Sequence, residues 1–161
     1  MRIKRLTRII AGLLFVAYFD YLLYRLFFFA YGQYFRFSEN EIRYNLIPFK
    51  TIVSYIRGIG NYKLEVWFFN LFGNILAFMP MGFLLPIIFK DLRSLKRIIM
   101  VLFLISSVLE MTQFWLKLGI ADIDDVLLNT IGGLIGYFLL EISYKCLFTN
   151  TKIRLFEARR P

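Results

Sequence analysis

The sequence has no histidine and only one cysteine, Cys146, among its 161 residues. Without histidine the chain lacks the commonest zinc ligand and the usual general base at neutral pH. A single cysteine cannot close an internal disulfide. Any bound metal would have to be held by oxygens, and no metal or cofactor is expected. Acidic residues are also scarce, 11 against 20 lysines and arginines, for a formal net charge of +9. An excess of base can point to nucleic acid, but nucleic-acid readers concentrate basic residues on an exposed domain. Here they fall mostly between apolar runs, a pattern that sets orientation in a membrane, so no nucleic-acid partner is expected. Repeats and low-complexity tracts are absent as well.

What the sequence has in abundance is apolar and aromatic side chains, 59% and 19% of residues. That is outside the range of an ordinary soluble domain and makes the lipid bilayer the first partner. Four runs approach the roughly 20 residues that a spanning helix needs, about 9–31, 66–89, 97–116 and 123–148. The N-terminal MRIKRLTR followed by a long apolar stretch has the charge layout of a secretory signal. No A-x-A-like site follows, and the segment is expected to be retained as the first helix. The expected fold is all-α: a multi-pass bundle of about four transmembrane helices, forming one domain over 1–161.

Lysine and arginine place both termini and the connection with Lys90, Arg93, Lys96 and Arg97 in the cytoplasm of a bacterial cell membrane. The first connection, with Arg36, Arg43, Lys50, Arg57 and Lys63, conflicts with that rule; its three glutamates and its length soften the conflict. The third connection has only Lys117 and is expected to face outward. Within the first connection, Pro48 is a favourable first helical residue, and Phe49, Ile52, Val53 and Ile56 follow at helical spacing. Lys50, Ser54 and Arg57 take the other face and Gly58 is placed to end the turn. A short helix lying on the outer membrane surface is expected there.

Polar residues inside the apolar runs carry the functional signal. With a rise of about 1.5 Å per residue, Asn70 and Asn74, Glu110 and Gln113, and Asn129 all fall in the outer half of the bilayer, with Asp122 and Asp125 near its surface. Each group shares one helix face: Asn70 with Asn74, Ser106 with Glu110 and Gln113, and Asp122 with Asp125 and Asn129. Three such stripes at one depth are expected to converge. An ionised group facing lipid costs several kcal/mol, so Glu110 should face the bundle interior, protonated, paired or in contact with water. Arg25 is the best partner in the sequence, and Asp20 is a second charge within a run. Simpler roles stand beside these. Asp122 and Asp124 suit a helix N-terminus. The asparagines suit interhelical hydrogen bonds, and Gly132, Gly133 and Gly136 suit close helix packing. Pro80, Gly82 and Pro86 suit a bend.

The segments RYNLIPF (43–49), NLFGNILAFMPMGFLLP (70–86), LEMTQF (109–114) and ADIDDVLLNTIGGLIGY (121–137) resemble, in order and spacing, the four sequence blocks of the VanZ-like family of bacterial membrane proteins. The family's prototype is associated with low-level resistance to teicoplanin, a lipoglycopeptide that binds cell-wall precursors outside the cell. The resemblance picks out Asn45, Pro48, Phe49, Asn74, Pro80, Gly82, Glu110, Gln113, Asp122, Asp125, Asn129, Thr130 and Gly133. Some members have a further C-terminal apolar segment where this sequence ends in KIRLFEARRP, so whatever that segment adds is expected to be absent.

Three functions follow as expectations. The first is a non-enzymatic protein whose outward-facing polar cavity binds a lipoglycopeptide or a lipid-linked cell-wall precursor. Its binding set would be Asn45, Asn70, Asn74, Glu110, Gln113, Asp122, Asp125 and Asn129. The alternative is a membrane-embedded enzyme acting on a lipid or cell-wall precursor. There Glu110 and Asp125 would form an acid/base pair, while Asn74, Gln113 and Asn129 orient substrate. No serine, cysteine or histidine constellation supports it, and no motif backs an oxygen-only metal site at Asp122, Asp125 and Glu110. The third is a small transporter, for which the cytoplasmic half offers little lining besides Asp20 and Ser106. The sequence does not report an oligomeric state.

Overall fold

The computed structural model of the chain describes residues 2–29, 44–58, 68–116, 118 and 120–148. Arg36, Arg43, Lys63, Lys117 and the basic tail all lie outside the described residues. Helix α1 (Arg2–Tyr24) continues into a π turn, Arg25–Phe29. A two-residue strand β1 (Tyr44–Asn45) precedes the short helix α2 (Lys50–Arg57). A second π turn, Phe69–Gly73, leads into α3 (Asn74–Ile88), and a 3-10 turn at Lys90–Arg93 connects it to α4 (Leu95–Trp115). Strand β2 (Ala121–Asp122) then runs directly into α5 (Ile123–Phe148).

Among the described residues, four segments are long and apolar enough to cross a membrane: Arg5–Phe28, Phe69–Ile88, Leu95–Trp115 and Ile123–Cys146. This is an all-α membrane protein, and its helices carry the large exposed apolar side chains that a lipid-facing surface requires. Helix α4 starts two residues earlier than its apolar run suggests. Ser94 is extended and its carbonyl accepts the N–H of Ile98, so the helix begins there despite Lys96 and Arg97.

Helix α5 packs against α3 on one side and α4 on the other, and α1 lies against α3. The buried core is built from Leu22 of α1, Phe78, Met81 and Leu85 of α3, Ile98 and Leu102 of α4, and Tyr137 of α5. Glycines bring α3 and α5 into backbone contact. A Cβ at Gly82 would overlap the backbone of Gly133, one at Gly132 that of Ile75, and one at Gly136 the carbonyl oxygen of Met79. Between apolar helices in lipid, close approach of this kind supplies van der Waals attraction where the hydrophobic drive of water exclusion is lacking.

Pro80 and Pro86 lie inside α3, which continues through both. Carbonyls along that helix find partners outside it. The Tyr18 hydroxyl donates to Ala77 O, and Arg93 Nε donates to Pro86 O at 3.1 Å. Tyr137 donates to Arg93 O at 2.7 Å, tying the α3–α4 turn to α5.

Candidate functional site

The ends of α1 and α4 and the beginnings of α3 and α5 meet at one end of the bundle, and both π turns are there. Onto this end the segment 44–57 is fastened by two aspartates. Strands β1 and β2 pair in parallel, Tyr44 opposite Ala121 and Asn45 opposite Asp122. Asp122 is the N-cap of α5: its Oδ1 accepts the Asp124 N–H at 2.9 Å, the usual local arrangement. The same Oδ1 accepts Asn45 Nδ2 at 3.0 Å, and Oδ2 accepts the Thr51 hydroxyl. Asn45 Nδ2 also donates to Thr51 Oγ1 at 3.0 Å, which closes a triangle of three side chains.

Asp124, fully buried, reaches out of its own helix. Its Oδ1 accepts the N–H of Phe49, and its Oδ2 accepts those of Thr51 at 2.8 Å and Ile52 at 3.1 Å. Thr51 and Ile52 lie in the first turn of α2 and Phe49 is its N-cap residue; the helix has no side-chain cap of its own. One carboxylate thus sits at the positive ends of two helices, α2 and α5. Pro48, read from the sequence as the first helical residue, instead occupies the turn before α2. Lys50 N–H donates to Ile47 O at 3.3 Å, and Phe49 has φ 65° and ψ 0°. Proline cannot take a positive φ, so this is a type II turn with phenylalanine at the position where glycine is normal. A left-handed phenylalanine costs about 1–2 kcal/mol, which the amide bonds to Asp124 help offset.

Glu110 of α4 lies beneath this clasp, and its Oε1 accepts the backbone N–H of Asp122 at 3.1 Å. Sequence reasoning offered Arg25 as its partner; the partner in the structure is a main-chain donor, which no side-chain inventory could reveal. Asn74 Nδ2 of α3 donates to Asp125 Oδ1 at 2.6 Å. Glu110, Asp122 and Asp124 all lie close enough to Asp125 for their charges to act on it. One turn further in, where α4 and α5 run antiparallel, Asn129 Nδ2 donates to Ser106 Oγ at 2.8 Å. Asn129 Oδ1 is buried without a hydrogen-bond partner. Among the described residues, no group of three or more His, Cys, Asp or Glu is arranged to hold a metal ion.

The structure therefore brings together Asn45, Asn74, Glu110, Asp122 and Asp125, with Asn129 on the next turn. Two residues of the expected binding set are placed differently. Gln113 turns toward α1 and donates to Leu26 O in the π turn at 3.2 Å. Asn70 is exposed at the start of the π turn before α3, so of the two asparagines Asn74 is the one that meets Asp125. A π turn breaks the i, i+4 alignment that the sequence spacing assumed. Asp20 is exposed on α1. Sequence reasoning missed Thr51 and the outward reach of Asp124. The usable signal was that α2 has no capping residue while DIDD holds more carboxylates than one helix start can use.

A sequence profile of the VanZ/LLP1 family matches residues 15–144, which include all four blocks and the whole clasp. The chain belongs to the VanZ/LLP1 family. Protein VanZ of Enterococcus faecium is 33% identical over 109 residues, covering 68% of this chain and 59% of that protein. The chain thus matches less than two thirds of that VanZ protein's length. No solved structure matches the chain. The VanZ/LLP1 blocks acquire physical meaning here: the first and fourth are the two halves of the clasp, the second supplies Asn74 and Gly82, and the third supplies Glu110.

Proposed function

We propose that this VanZ/LLP1 protein lowers susceptibility to lipoglycopeptide antibiotics such as teicoplanin. It does so by binding an amphiphilic molecule, the drug or a lipid-linked cell-wall precursor, in a polar cavity open to the outer face of the cell membrane. The distribution of Lys and Arg puts both termini in the cytoplasm and the clasp end outside. The observation that carries the reading is the convergence of Asn45, Asn74, Glu110, Asp122 and Asp125 at one end of an otherwise apolar bundle. Asp122 and Asp124 are taken up by the clasp, whereas Glu110 and Asp125 accept one hydrogen bond each. A carboxyl group has two oxygens and can make more than one hydrogen bond, so these two keep capacity for the hydroxyl, amide or amine groups of a ligand.

The test is teicoplanin and vancomycin susceptibility of cells expressing wild type, Glu110→Gln or Asp125→Asn at matched membrane levels. Wild type should protect against teicoplanin and both near-isosteric variants should not. Equal protection by all three would make these carboxyls structural and end the proposal.

The convergence of Glu110 and Asp125 on the same end of the bundle also favours a second reading, an enzyme using the two as an acid/base pair on a lipid or cell-wall precursor. Mass spectrometry of lipid extracts from cells with and without the protein separates the readings. A species created or consumed only when Glu110 is intact is required for catalysis, and unchanged extracts leave binding alone.

A further inference from the structure

Helix α2 contains no acidic residue and no buried residue. Its half-buried positions Thr51, Ile52 and Tyr55 lie on the side toward the bundle. Phe49, Val53 and Ile56 form an exposed apolar strip, extended by exposed Ile47 in the turn. Lys50 and Arg57, seven residues apart and so on one face, run beside that strip and are also exposed. The level of this helix is set by the clasp. Asp124 holds its first-turn amides, and Asp124 is the second residue of the spanning segment Ile123–Cys146. A helix fastened at the first turn of a transmembrane span lies at the boundary between hydrocarbon and headgroups.

The strained turn points the same way. Phenylalanine stands at a glycine position in a left-handed conformation, with its side chain 59% exposed and not in the core. Strain of this kind persists where the surroundings over-determine it, and it collects at sites of use.

We propose that α2 and its lead-in turn form a recognition surface for anionic phospholipid. Ile47, Phe49, Val53 and Ile56 enter the boundary between headgroups and acyl chains, and Lys50 and Arg57 bind the lipid phosphate. The charge complementarity is one-sided: two cations with no acid on the helix, set at phosphate depth, beside side chains that suit an acyl chain. This surface is distinct from the Glu110–Asp125 site and does not rest on the antibiotic reading.

The full chain with Cys146→Ser and Ile56→Cys, labelled with an environment-sensitive fluorophore, is placed in nanodiscs. Phosphatidylglycerol or phosphatidylcholine with a nitroxide at acyl carbon 5 is titrated in over the same range of mole fractions. Both lipids should quench, iodide in the water should not, and phosphatidylglycerol should quench at lower mole fraction. Lys50→Gln and Arg57→Gln should each reduce that preference by about fivefold. Phosphatidylcholine should still quench the variants, which shows that α2 remains docked. Quenching by iodide and by neither lipid would overturn the placement of the helix. Equal quenching by both lipids in the unsubstituted background would overturn phosphate recognition.

Discussion

The carboxylate of Asp124 accepts the N–H groups of Phe49, Thr51 and Ile52 from a position with no access to solvent. If it is removed, these amides lose a charged acceptor and the left-handed Phe49 loses its restraint. Asp124→Ala should cost about 3 kcal/mol, since a hydrogen bond to a charged group contributes roughly 1.5–3 kcal/mol and the freed segment recovers part of the loss. Hydrogen exchange at residues 49–52 should rise sharply while the α3–α5 amides stay protected. Unchanged protection at 49–52 would contradict this role. Glu110→Gln is the contrasting case: an amide oxygen can still accept the Asp122 N–H, so stability should change by less than about 1 kcal/mol. Any loss of antibiotic protection in that variant then reports on function, not folding. That Glu110 points inward was legible, because an ionised group in an apolar run has nowhere else to go. Its partner was not, because any backbone N–H can serve.

At the scale of elements, the glycines separate three situations that spacing alone treats alike. Gly82→Ala and Gly132→Ala put a Cβ into backbone of the facing helix, which cannot yield unless the helices part. Each should cost about 1–3 kcal/mol or more, as overpacking does. At Gly133 the obstruction is the Leu102 side chain, which can turn away, so Gly133→Ala should be milder. Gly12→Ala meets nothing within 4 Å on α1 and should be neutral, or stabilising by up to about 1 kcal/mol through helix propensity. Thermal unfolding of the purified variants in detergent ranks the four; a Gly12 variant as damaged as Gly132→Ala would refute the packing argument. The small-residue stripe on α5 was readable from its i, i+4 period. The match of Gly133 to Gly82, 51 residues earlier, depends on the register between helices, which no single-helix pattern contains.

For the molecule as a whole, the orientation expected from the basic residues can be tested with the native thiol. Cys146, free and exposed near the end of α5, should react with a membrane-impermeant maleimide only after cells are permeabilised. Ser54→Cys on α2, in a Cys146→Ser background, should react in intact cells. The reverse pattern would place the clasp in the cytoplasm and remove the reading of an outer-face site.

The spanning helices, their number and the amphipathic strip of α2 were determined by the sequence itself, because burial in lipid acts on each helix separately and writes itself into local periodicity. Which polar residues meet was decided only by the tertiary structure. Asn70 and Gln113 carried the same local signal as Asn74 and Glu110, yet one is exposed within a π turn and the other bonds a carbonyl of the π turn that follows α1. The division between Asp122, which caps its own helix, and Asp124, which caps one more than 70 residues away, likewise depends on how a parallel two-residue bridge sets segment 44–57 against α5. Hydrogen bonds across that distance in sequence leave no periodic trace; they exist only once close α3–α5 packing has brought the helix ends together.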